Sequence, residues 1–112
     1  MAATAQIKFT LTKKNYDQII DMAGYGIAYW AAYMESTDNG CHFTEDRTGK
    51  KFFITFEDME KAVLGIHVAS PLNDYYTRAI AGLVNDGCAG DVGSDIADAI
   101  VQWACFGKVI YG

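Results

Sequence analysis

Thr37-Asp38-Asn39-Gly40-Cys41-His42-Phe43-Thr44-Glu45-Asp46-Arg47-Thr48-Gly49-Lys50-Lys51-Phe52-Phe53-Ile54 is the stretch on which the class of fold turns. Its first four residues have turn composition. Cys41–Thr44 and Lys51–Ile54 are short β-prone runs on either side of the loop Asp46–Lys50, in which Gly49 offers positive φ. These strands are joined too briefly for a helical crossover, so they must pair antiparallel. Upstream, Ile27-Ala28-Tyr29-Trp30-Ala31-Ala32-Tyr33-Met34 is apolar throughout. Its aromatic content and its glycine boundary favour a strand buried on both faces, although periodicity alone does not separate strand from helix. Gln6–Leu11 alternates polar and apolar residues with Ile7, Phe9 and Leu11 on one face, which predicts a half-buried strand. Val109-Ile110-Tyr111 predicts a short terminal one.

Helical signals lie between and after these strands. Thr12 is a candidate N-cap for a helix over 13–23, with Tyr16, Ile19, Ile20 and Ala23 on one face and Gly24-Tyr25-Gly26 ending it. Thr55 followed by Glu57 and Asp58 predicts a helix to about Val68, closed by Pro71. A third helix is expected over 73–85 on Tyr76, Ile80, Leu83 and Val84. A fourth is expected from a Ser94 cap to a stop at Gly107, with Ile96, Ala97, Ile100, Val101, Ala104 and Cys105 inward. The expected fold is a small single α+β domain over 1–112, an antiparallel sheet of four or five strands with three or four helices packed on it.

Composition narrows the function classes. The 112 residues are 51% hydrophobic, enough for one core, and no Pro- or Ser-rich linker divides them. The formal charge is −5, which speaks against direct nucleic-acid binding by phosphate neutralisation. The charge is uneven: six acids balance six bases in residues 1–56, while residues 57–112 hold eight acids and three bases. Three cysteines with no C-x-x-C spacing fit a reducing cytosol better than a disulfide framework or a zinc ribbon. No run approaches the length of a membrane span, and Met1-Ala2-Ala3-Thr4 does not open a secretory signal. A soluble protein without membrane contact is expected.

Catalytic motifs do not emerge. Cys41-His42 is the only adjacent thiol and imidazole, but neighbours on a strand point to opposite faces. The carboxylates Asp86, Asp91 and Asp95 lie among glycines without the spacing of a calcium-binding loop, and Asp95 and Asp98 fit the charges of a helix N-terminus. Gly87, Gly90 and Gly93 lack both the spacing and the following Lys-Ser/Thr of a phosphate-binding loop. Neither catalytic residues, metal nor cofactor is expected. Tyr25, Tyr29, Trp30 and Tyr33 stand out on binding grounds, because Tyr and Trp bury large areas at low rotamer cost. A core strand accounts for them as well.

Gly26-Ile27-Ala28-Tyr29-Trp30-Ala31, with Asp95-x-x-Asp98-Ala99-Ile100-Val101-Gln102-x-x-x-Phe106-Gly107-x-Val109-Ile110-Tyr111-Gly112 near the end, resembles a family of small proteins from bacteriophages and prophages. The resemblance covers both ends and leaves residues 35–90 without a motif. It implies a phage accessory protein working in the cytoplasm of the host bacterium, and it transfers no catalytic residues.

The resulting expectation is a non-enzymatic protein that binds and inhibits a host macromolecule, most concretely an anti-CRISPR or other anti-defence inhibitor. An acidic surface would occupy a basic, nucleic-acid-binding groove on a host protein. Its candidate contacts are Glu57, Asp58, Glu60, Asp86 and Asp91, with Tyr25 or Tyr33 as anchors. One alternative is a small-ligand or nucleotide-signal binding protein or enzyme, which a concave pocket containing His42 and a carboxylate would favour. Another is a structural or assembly protein in which the aromatic strand forms a homodimer or larger homo-oligomer.

Overall fold

The computed structural model describes residues 9–69, 74–87 and 89–112. Chain order is α1 (Lys13–Gly26), β1 (Ala31–Thr37), β2 (Gly40–Glu45), β3 (Lys51–Thr55), α2 (Phe56–Ala69), α3 (Asp74–Asp86) and α4 (Ser94–Phe106). The strands form one antiparallel sheet in the order β1-β2-β3, with Met34 opposite Phe43 and Phe43 opposite Phe52. Cys41, Phe43 and Ile54 face the core from this sheet. Helix α4 packs against α1, α2 and β3, and every residue from Ile96 to Gln102 is buried. The α+β class is as expected, with three strands among the described residues rather than four or five.

Local chemistry explains the helix starts. The Asn15 N–H donates to Thr12 Oγ1 at 3.1 Å, the cap expected for α1. At α2 the bonds are reciprocal: Asp58 N–H donates to Thr55 Oγ1 at 3.1 Å and Thr55 N–H to Asp58 Oδ2 at 3.0 Å. Ser94 does not cap α4. Gly93 holds that position without a side-chain bond, and Ser94 is the first helical residue. At the other end Gly107 takes φ 74°, and its N–H donates to the Trp103 carbonyl at 2.8 Å.

Three expected strands need correction. Phe9–Leu11 form no strand, and residues 6–8 lie outside the described residues, as does Pro71. Residues 27–30 are a turn, because the Trp30 and Ala31 N–H groups both donate back to the Ile27 carbonyl, at 3.0 and 2.9 Å. The strand that follows, β1, lies at a sheet edge and is largely exposed, not buried on both faces. Val109–Tyr111 is irregular, because a side chain rather than a strand meets its N–H groups. Helix α1 also runs through Gly24 and Tyr25 to Gly26 instead of ending at Ala23.

The two glycines beside Tyr25 do different work. A Cβ on Gly24 would meet nothing within 4 Å, whereas one on Gly26 would lie 2.7 Å from the Ser94 carbonyl oxygen. Gly26 therefore lets the end of α1 approach the start of α4. Gly24→Ala is expected to stabilise the protein by about 0.5–1 kcal/mol through a less flexible unfolded chain. Gly26→Ala is expected to destabilise it by about 1–3 kcal/mol through overpacking. Urea unfolding midpoints of the two variants check the opposite signs.

Candidate functional site

Asp98 and Gln102 lie one helical turn apart on the buried part of α4. Asp98 Oδ1 accepts from Trp30 Nε1 at 2.8 Å and from Gln102 Nε2 at 2.9 Å, and Oδ2 accepts from the Tyr29 hydroxyl at 2.5 Å. Gln102 reaches onward. Its Oε1 accepts the N–H groups of Ile110 and Tyr111 at 2.9 and 2.8 Å, and its Nε2 lies 3.2 Å from the Tyr111 carbonyl oxygen. One carboxamide thus satisfies three backbone groups of the irregular tail.

Stacking completes the clasp. The Tyr111 ring lies parallel to Trp30, with centroids 5.7 Å apart and planes at 6°. Phe106 meets Trp30 edge-on at 5.4 Å and Phe52 at 5.2 Å. The Tyr111 hydroxyl donates to Glu45, and Glu45 also accepts from Thr48 Oγ1 at 2.7 Å. Those bonds, Thr48 foremost, hold the Glu45 carboxyl below its ordinary range, and the same bond raises the Tyr111 phenol. Outside the clasp lies a shallow cleft of about 370 Å³ between Tyr29, Asp95, Asp98, Val109 and Tyr111. Tyr25 is 83% exposed, and Tyr29, Val109 and Ile110 also present apolar surface to solvent.

The expected contact residues are dispersed. Glu57 pairs with Lys61 at 3.1 Å on α2, Asp58 is spent on the helix cap, and Glu60 accepts the Leu11 N–H at 2.6 Å. Asp86 ends α3 and is exposed. Asp91 is exposed in the turn before α4, lining a groove with Gln18, Met22 and Arg78. Tyr25 stands in the last turn of α1, and Tyr33 on the outer face of the sheet. Asp95 serves the start of α4, accepting the Ile96 N–H at 2.9 Å. Asp98, read as a second such charge, instead turns into the core. The signal for it was an Asp and a Gln four residues apart inside an otherwise apolar run.

The thiol and imidazole diverge as strand geometry requires, with Cys41 fully buried and His42 exposed. Burial pushes the Cys41 thiol up to about 11 and the Cys105 thiol to about 12, far from a thiolate at neutral pH. Cys88 lies outside the described residues. His42 opens onto a depression of about 410 Å³ that also includes Tyr33, Glu35, Thr44 and Lys51. Among the described residues, no group of three or more His, Cys, Asp or Glu is placed to hold a metal ion, and no helix is long and apolar enough to cross a membrane.

Two outcomes test the clasp. Asp98→Ala leaves the buried Trp30 N–H without its acceptor and is expected to cost about 3 kcal/mol in urea unfolding. Glu45 is ionised at neutral pH in both folded and unfolded chains, and its depressed folded value means its contribution is lost as pH falls through that value. Wild type is therefore expected to have a higher urea midpoint than Glu45→Gln at neutral pH, and the gap should close on acidification below the ordinary carboxylate range. No protein-family model, no curated protein and no solved structure matches the chain.

Proposed function

We propose that this chain is a non-enzymatic, phage-encoded accessory protein that binds and inhibits a host macromolecule, in the manner of an anti-CRISPR or other anti-defence inhibitor. The observation that carries the reading is Tyr25, 83% exposed at the end of a helix whose next residue abuts α4. Tyr29, half-exposed, is held in place by Asp98, and Val109 lines the same cleft. Aromatic side chains mounted on a rigid support lose little entropy on docking, which is the character of an interface anchor.

The resemblance to phage proteins supports the same reading. Tyr29 and Trp30 come from its first motif, and Asp98, Gln102, Phe106 and Tyr111 from its second; all six belong to one clasp. Acidity enters at the edge of this surface through Asp95, which is exposed, and it favours a partner with basic side chains. The acids at the start of α2 are less available, since Asp58 and Glu60 already bond backbone N–H groups.

A photo-crosslinking side chain placed at position 24, beside Tyr25, tests the proposal in bacteria carrying the relevant defence system. A single host protein is expected to be captured, with capture falling at least about tenfold in Tyr25→Ala or Asp95→Lys. Glu57→Lys should leave it within about twofold. Capture indifferent to Tyr25→Ala and Asp95→Lys would contradict the assignment of this surface. Capture of a second copy of the chain would favour the homo-oligomeric alternative.

A further inference from the structure

The outer face of the sheet is a second surface, built differently from the first. Antiparallel register places its outward residues in rows: Tyr33, Thr44 and Lys51 form one, and Glu35, His42 and Phe53 the next. Tyr33 and Phe53 are 49% and 42% exposed, although a solvated sheet face is ordinarily polar. Phe53 does not hang free. Its ring lies over Gly40, where an added Cβ would come within 2.9 Å of Cζ, and its centroid is 4.6 Å from that of His42.

Two charged groups flank these rings. The Glu35 carboxylate, two residues along β1 on the same face, raises the Tyr33 phenol and keeps its acceptor sites. Lys51 is exposed and has no ion-pair partner among the described residues. It lies two residues along β3 from Phe53, about 7 Å away at the rise of a strand. An aromatic floor, an acceptor-only group at one side and a single unpaired cation at the other describe a ligand. It has a flat face, N–H donors on its edge and one anionic group.

We propose that this face binds a guanine nucleotide, with the base on Phe53 beside the tilted His42 ring, its imino and amino N–H groups on Glu35 and its phosphate on Lys51. Guanine presents two adjacent N–H donors that a carboxylate accepts side by side, whereas uracil offers one. Beside Phe53, the depression of about 410 Å³ that Glu35, His42 and Lys51 line is within the size range of small-ligand sites. Charge selects a mononucleotide over a strand: one unpaired lysine answers one phosphate, and a net charge of −5 repels a polyanion. The face that Tyr25 and Tyr29 occupy plays no part in this site.

Titration of the isotope-labelled protein with GMP, UMP, guanosine and inorganic phosphate, followed by NMR, tests the proposal. GMP is expected to shift the resonances of Glu35, His42, Lys51 and Phe53, with guanosine and UMP each binding at least about tenfold more weakly. Lys51→Ala should bring GMP down to the affinity of guanosine, and Glu35→Gln should erase most of the preference over UMP. Lys51 is exposed, so its variant remains informative should Phe53→Ala fail to fold. A 5′-phosphorylated oligonucleotide beginning with guanine separates sources: binding equal to GMP assigns a strand end, and weaker binding a free nucleotide. Four results would overturn the site. They are no shifts with millimolar GMP, equal shifts with phosphate alone, no discrimination from UMP, or affinity that rises with strand length.

Discussion

A carboxylate inside an apolar helix has to be answered, and the pairing of Asp98 organises much of this protein. Unpaired, a buried carboxylate or its abandoned donors would cost several kcal/mol. Here the donors come from Tyr29, Trp30 and Gln102, two of them nearly seventy residues away in sequence. The bond to Trp30 fixes where the largest core side chain sits. It also fixes the turn between α1 and β1, and therefore how the sheet leaves the helical layer.

Gln102 extends that constraint to the tail. A segment without strand or helix normally meets its backbone polar groups with water, yet Ile110 and Tyr111 meet theirs with one side chain. This is why Tyr111 can lie flat on Trp30 and why its hydroxyl reaches Glu45 at the far end of β2. Helix, turn, sheet and tail are thereby joined through side chains instead of through a fourth strand. Of the exposed tyrosines, Tyr29 is held by the same joint.

Local chemistry was legible in the sequence, and long-range chemistry was not. Thr12, Thr55 with Asp58, and Gly107 announce helix ends through bonds made within four residues, and the short connections around Cys41–Thr44 leave antiparallel pairing as the only choice. Ile27–Trp30 misled because an apolar run has no period, so the turn there is set by where Trp30 must place its indole N–H. Val109–Tyr111 has the composition of a strand, but its partner is a glutamine rather than a neighbouring strand. Asp98 resembled a helix-dipole charge because its position, five residues into α4, suits that role almost as well. Of the candidate contacts, the exposure of Tyr25 could be foreseen only as one of two options, whereas the structural employment of Asp58 followed from its place beside Thr55.

The central claim is that Gln102 and the tail form one unit locked onto the core. A double-mutant cycle between Gln102→Leu and removal of residues 108–112, read by urea unfolding, measures that directly. If the claim holds, the two changes are strongly non-additive: once the tail is gone, replacing Gln102 costs at least about 1 kcal/mol less than it does in the full chain. Additive costs would contradict it, and the tail would then be resting on the core without being held by α4.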